Sequence, residues 1–321
     1  MQVLLAAGRR LWQASPVLTA VGLGMLAVFV LTLAGLVADP RVIVGAPAWL
    51  KPAKFAISTA IYALTFAWIF TYLAAWPRLT RIVGAATAGV MVLEVALIAA
   101  QAARGTTSHF NIGTPSDAAI FAVMGVAIVL AWAASIALAV ALFRQPFADR
   151  PFGWALRLGL LITVIGSATG GLMTRPTGAQ MAAARATHRM PVSGAHTVGA
   201  ADGGPGLPGT GWSREHGDIR VPHFLGLHGV QALPLIAFLL RRMKSPLRRQ
   251  RAVMVAAASY ASLFGILLVQ ALSGQSVLAP AGPTPVAIAV WLAGTLAAAV
   301  WVRLSRRNGA NEPSMNVAVS L

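Results

Sequence analysis

Apolar stretches of about 20 residues, separated by short basic or polar segments, recur along the whole chain and leave few folds open to it. At about 1.5 Å per residue, a helix of that length crosses the ~30 Å hydrocarbon layer of a bilayer. Lipid offers no partner to a backbone N–H or C=O, so each run must satisfy its own hydrogen bonds as a helix. The expected class is therefore an all-α integral membrane protein. The runs lie at roughly 17–37, 54–76, 82–103, 117–143, 154–173, 222–240, 252–273 and 284–302, which makes a bundle of about eight transmembrane helices in one polytopic domain over 1–321. With 57% hydrophobic and 10% charged residues, nothing is left to build a separate soluble domain. Arg9 and Arg10 precede the first run as they would in a signal peptide, but the apolar core is too long for one and reads as an uncleaved span.

The basic residues set the expected orientation. With the N-terminus inside, Arg9, Arg10, Arg78, Arg81, Arg144, Arg150, Arg157, the six in 241–251, Arg303, Arg306 and Arg307 are cytoplasmic, 16 of the 25 Lys and Arg. Acids thin the other side further, through Asp39, Asp117, Asp202, Glu215 and Asp218, against Asp149 and Glu312 inside. The positive-inside rule then places a multi-pass protein in the cell membrane with both termini cytoplasmic and the 174–221 connection outside. The net charge of +17 is thus topological, and no polar basic face points to nucleic acid. Zero cysteines exclude disulfides and thiolate chemistry. The long 174–221 segment, rich in Gly and Pro over 202–211, reads as an irregular extracytoplasmic loop, either a lid or a flexible insert.

All six histidines, His109, His188, His196, His216, His223 and His228, fall in outside loops or at the outer ends of spans. The densest stretch is 212–231. His223 and His228, five residues apart, stand about 140° apart on a helix, so they do not chelate one ion as an i,i+4 pair would. Each needs a partner from another segment, and His109 is the nearest candidate by topology. His109, His223 and His228 are accordingly the expected ligands of a b-type haem or a divalent metal, the alternative being ordinary hydrogen-bonded interfacial histidines.

Two further sets complete the expected outer pocket. Glu94 lies near the middle of the third span, with Gln101 about 20° away around the same helix, and the pair reads as catalytic or proton-relaying, or else as packing glue. Lys51, Lys54, Ser58 and Tyr62 fall within about 80° of arc at the start of the second span. Lys51, Lys54, Arg104, Arg175 and Arg220, joined by Asp218 and Gln231, would bind a phosphate, a carboxylate or haem propionates, unless they simply meet lipid headgroups. Asp117 and Asp218 would neutralise two of these cations. The Gly203–Gly206 run is no nucleotide loop, no serine sits in a nucleophile elbow and there is no HExxH. Gly166, Gly170 and Gly171 suit close helix packing.

Three functional readings follow: a haem- or metal-binding membrane oxidoreductase or other enzyme acting on a membrane-soluble or anionic substrate; a proton-coupled small-solute transporter or channel using Glu94; and an accessory subunit that binds a partner through 174–221. The lipid bilayer and an anionic or membrane-soluble small molecule are the implied partners.

Overall fold

The computed structural model describes residues 2–305; Arg306, Arg307 and Glu312, which entered the charge count above, lie outside the described residues. Helix α1 (Gln2–Ala14) ends at Ser15, whose hydroxyl caps the N-terminus of α2 (Pro16–Ala38) by accepting from Leu18 N at 3.4 Å. A hairpin of β1 (Val42–Ile43) and β2 (Ala46–Pro47) leads into α3 (Leu50–Phe70), followed by α4 (Pro77–Ala103) and α5 (Pro115–Arg144). Beyond α6 (Arg150–Ala168) come α7 (Gly170–Met173), α8 (Gly178–Thr187) and the paired strands β3 (Thr197–Val198) and β4 (Gly217–Asp218). The chain closes with α9 (Arg220–Leu227), α10 (Gly229–Leu239), α11 (Pro246–Leu272) and α12 (Thr284–Leu304).

Among the described residues seven helices are long and apolar enough to cross a membrane, or up to eight if α9 and α10, bent by 48°, count as one span. The protein is a polytopic membrane helix bundle. Its boundaries differ from the hydropathy runs where proline intervenes. The second run continues to 76, yet α3 stops at Phe70, residues 71–76 form turns, and Pro77 opens α4. Proline at a first helical position costs no hydrogen bond, so Arg78 and Arg81 ride on the first turns of α4 rather than in a loop. In the same way Ser245 and Pro246 start α11 ahead of Arg248, Arg249 and Arg251.

Lipid tails are as apolar as leucine, so close packing rather than water exclusion selects the helix contacts. At one end of the bundle Leu18, Phe66, Ile69, Leu138, Leu142, Leu156, Leu160 and Val230 form a fully buried apolar core. Glycines bring α6 against α9 and α10: a Cβ on Gly226 would stand 2.5 Å from the Cα of Gly166, and one on Gly159 2.6 Å from the carbonyl oxygen of Gly229. Gly170 faces the His223 ring, whereas Gly171 faces open space.

The expected unbroken span at 222–240 is instead interrupted at His228. Thr163 of α6 occupies the break: its hydroxyl accepts from Val230 N at 3.0 Å and lies 3.3 and 3.2 Å from the carbonyls of Gly226 and Leu227. Tyr260 of α11 donates to the carbonyl of Leu225 at 2.6 Å. Side chains of neighbouring helices thus satisfy backbone groups that a continuous helix would have paired, as lipid requires.

Candidate functional site

The polar groups gather at the end of the bundle opposite the apolar core, where the connections 39–49, 104–114, 169–219 and 273–283 meet. Arg41, held by Asp39 through Nε at 2.9 Å, donates from Nη1 to the carbonyl of Ala103 at the C-terminus of α4. Phe110 accepts from Ser193 N, Ile112 donates to Pro191 O, and His216 bridges to Gln275. The segment expected to be an irregular loop is therefore a cap, with its own helix, a two-stranded pairing and tethers to two other connections. Thr177 and Gln180 form a reciprocal capping box at the start of α8.

Beneath the cap stand three cations from two spans. Lys54 of α3 donates from Nζ to Thr210 O at 2.8 Å, and Arg220, at the start of α9, donates from Nη2 to Gly211 O at 2.7 Å. Both cations approach the same turn: a Cβ on Gly211 would lie 3.9 Å from Lys54 Nζ and 4.0 Å from Arg220 Nη1. Asp218 grips Arg220 with both oxygens, at 2.9 and 2.6 Å, and accepts from Ser213 N, so this arginine is fixed in place. Lys51, half-buried, lies one helical turn before Lys54 on α3. The structure thus brings Lys51, Lys54, Arg220 and Asp218 together. Arg175 is exposed and stands apart from them in its contacts.

Arg104 belongs to a different network. It donates to Asp117 Oδ1 at 3.0 Å and to Gln101 Oε1, while Gln101 Nε2 donates to Asp117 at 2.9 Å and to Thr107 O at 3.3 Å. Thr114 completes the set by donating to Asp117 Oδ2 at 2.7 Å and capping α5. Gln101, expected to face Glu94's partners, is consumed in tying α4 to α5. Glu94 itself is 4% exposed. On the α3 stripe, Tyr62 pairs with Ser135 at 2.8 Å while Ser58 is exposed. Gln231 donates to Thr65 Oγ1 at 3.2 Å and leaves its own Oε1 buried without a partner.

Among the described residues the histidines form no metal-binding cluster. His109, His223 and His228 are not gathered around one point; among the described residues no three His, Asp or Glu side chains are grouped as a metal ion requires. Each ring has its own contacts: His109 Nδ1 with Ser108 Oγ at 3.0 Å, His223 Nδ1 with Gly166 O at 3.0 Å and Thr169 Oγ1 at 3.1 Å, His228 against the Phe224 ring at 4.3 Å.

The histidine that joins the cationic cluster is His196, unremarkable in the sequence. Its Nδ1 lies 2.6 Å from Asp202 Oδ2, and Asp202 also accepts from the backbone N–H groups of His196 and Thr197. Burial raises the Asp202 carboxyl, but the hydrogen bonds and charge of His196 outweigh it and hold the group well below the usual carboxylate range. Burial pushes the His196 imidazole down from its ordinary value, against the pull of Asp202. Against an ionised Asp202 the Nδ1 of His196 carries its proton and donates it to the carboxylate. Burial, followed by the charges of Lys51 and His196, holds His109 well below the usual histidine range. The ring of His196 packs on Phe110, centroids 4.9 Å apart. A single aspartate opening a Gly-rich turn six residues after a histidine was the one sequence signal for this pair.

Compared with known protein families, with curated proteins and with solved structures, the chain finds no match.

Proposed function

We propose that the capped end of the bundle binds an oxyanion, a phosphate or carboxylate carried by a small or membrane-soluble molecule, with Lys51, Lys54 and Arg220 as its ligands. The observation that carries this reading is the use to which two of the cations are put: Lys54 and Arg220 each donate to a neutral backbone carbonyl of consecutive residues, Thr210 and Gly211. An oxyanion adds the attraction of opposite charges to a hydrogen bond that each cation now makes with a neutral carbonyl, so it displaces both carbonyls at a gain. Asp218 neutralises Arg220 in part, whereas neither lysine is in a salt bridge among the described residues. The capped end is assigned to the outside of the cell membrane, and both chain termini to the cytoplasm, because the opposite end carries the excess of Lys and Arg.

The test is a titration of detergent-solubilised protein with sulfate and with a short-chain alkyl phosphate, followed by calorimetry. Saturable binding is expected, and Lys54→Met or Arg220→Gln should weaken it by about tenfold or more, the value of one charged hydrogen bond. A stronger response to the alkyl phosphate would identify a membrane-soluble ligand, and an equal response a free anion. Indifference to both anions would reject the site.

The interruption of the sixth span favours a second reading, that the bound anion is also carried across the bilayer. Discontinuous helices at mid-depth mark the substrate sites of many transporters, and here the break between α9 and α10 is stabilised by Thr163 and Tyr260 rather than closed. Counterflow of labelled sulfate into proteoliposomes separates the two readings, since binding alone yields none.

A further inference from the structure

Lys54 and Arg220 hold the 210–211 turn from two helices, α3 and α9. Thr65 lies eleven residues after Lys54 and Gln231 eleven after Arg220, and these two meet in turn, Gln231 Nε2 donating to Thr65 Oγ1 at 3.2 Å. The two rails are thus bridged at both ends over roughly 16 Å of helix. Between the bridges the same face of α3 carries Ser58 and Ile61, at i+4 and i+7 from Lys54, and α9 carries Phe224 at i+4 from Arg220. All three are exposed, Ile61 by 40% and Phe224 by 48%. Helix α9 packs chiefly on α6 and α11, and α3 on α2 and α4, so their facing sides form a cleft open to the bilayer.

The cleft changes character along its length. Its head is cationic and lies under the cap. Trp212, next to Gly211, sets its ring edge-on to Phe224 with centroids 5.5 Å apart, and Phe224 meets the His228 ring at 4.3 Å. Below the cations the wall is therefore aromatic and aliphatic, which a free hydrophilic anion does not need. Lys51, one turn before Lys54, adds a third cation, against the single carboxylate of Asp218. A phosphate monoester, with about −1.5 to −2 charges at pH 7, matches that surplus better than a carboxylate does.

We propose that the ligand is an amphiphilic phosphate monoester, with its headgroup between Lys54 and Arg220 and its hydrocarbon chain lying in the cleft between α3 and α9, entered sideways from the bilayer. The inference rests on the anion site argued above and names its ligand. No covalent step is involved. A chain gains little by leaving lipid for an equally apolar cleft, so the headgroup supplies the affinity and the cleft decides where the chain lies.

The position of the chain is therefore what the experiment reads. The probe is dodecyl phosphate with a photoreactive diazirine at the end of its chain, added to the full-length protein in phosphatidylcholine nanodiscs. Label should concentrate within 58–65 and 224–231, excess sulfate should suppress it, and Arg220→Gln should lower it by about tenfold or more. Label confined to the lipid-facing helices α2 and α12, or no label at all, while sulfate still binds would overturn the cleft and leave the anion site standing. Label in the cleft that excess sulfate does not displace would separate the chain from the cations and overturn the proposal equally, without recourse to any variant. Equal labelling by dodecanoic acid carrying the same diazirine would overturn the choice of phosphate. Absence of sulfate binding to the unmodified protein would refute the anion site itself, and this ligand with it.

Discussion

Replacing Lys54 by Met removes one charge and one hydrogen bond from the cap while keeping the aliphatic stem that packs along α3. The bond lost is Lys54 Nζ to Thr210 O, 2.8 Å long. A hydrogen bond from a charged group contributes about 1.5–3 kcal/mol, and because Lys54 is partly open to solvent about 1–2 kcal/mol is the appropriate figure. Arg220 still holds the neighbouring carbonyl of Gly211 at 2.7 Å, so the turn loosens rather than detaches. A change of 1–2 kcal/mol raises the open population of the cap by a factor of roughly 5–30. Amide hydrogen exchange reads this directly at Leu207, Gly211 and Arg214, whose N–H groups donate to Trp212, Leu207 and Pro205 within the turn. Exchange at those three positions should accelerate by that factor, while the amides of α6 stay unchanged. If Leu207, Gly211 and Arg214 exchange in Lys54→Met at the rate of the unmodified protein, the cap is not held by Lys54 and the displacement of carbonyls by an anion loses its basis.

Gly226→Ala should lower stability by about 1–3 kcal/mol, because its Cβ would meet the Gly166 backbone at 2.5 Å and no rotamer relieves a backbone clash. Gly171→Ala, with nothing within 4 Å, should fall within about 0.5 kcal/mol of the parent, and equal melting temperatures for the two variants would contradict the packing of α6 on α9. The cap should also depend on pH. Burial lowers His196 in the folded state, so its contribution is complete above its unfolded value of about 6.5 and declines as pH falls below that. Asp202, held below its ordinary range, has the same sign, with its loss starting only below about pH 4. Proteolysis of the cap should accelerate between about pH 6.5 and 5, and His196→Gln should abolish that acceleration; a pH-independent cleavage rate in the unmodified protein would exclude His196 as the cause.

Spans were legible because the hydrophobic period of a lipid-facing helix is written in consecutive residues. The apolar runs at 17–37 and 284–302 coincide closely with α2 and α12, and the basic clusters mark the ends. The break at His228 depends on Thr163, 67 residues before Val230, and could not be read locally. The spacing of His223 and His228 left their partners to other segments; in the structure His109 meets Ser108, and the histidine paired with an acid under the cap is His196.

From the sequence alone came the solvent. Runs of apolar side chains can exist only in lipid, and lipid in turn demands helices, so class and approximate span positions follow from composition along the chain. Glu94 stood out for the same reason, as a carboxyl where hydrocarbon lies. Only the tertiary structure decided which polar groups meet. Lys51, Lys54, Arg220, Asp202 and His196 are scattered over 170 residues, and their meeting depends on how the cap folds back over α3 and α9, through backbone hydrogen bonds that any residue could make. Such bonds carry no side-chain signature, which is why the cap read as a loop and its contacts with the lysines could not be anticipated.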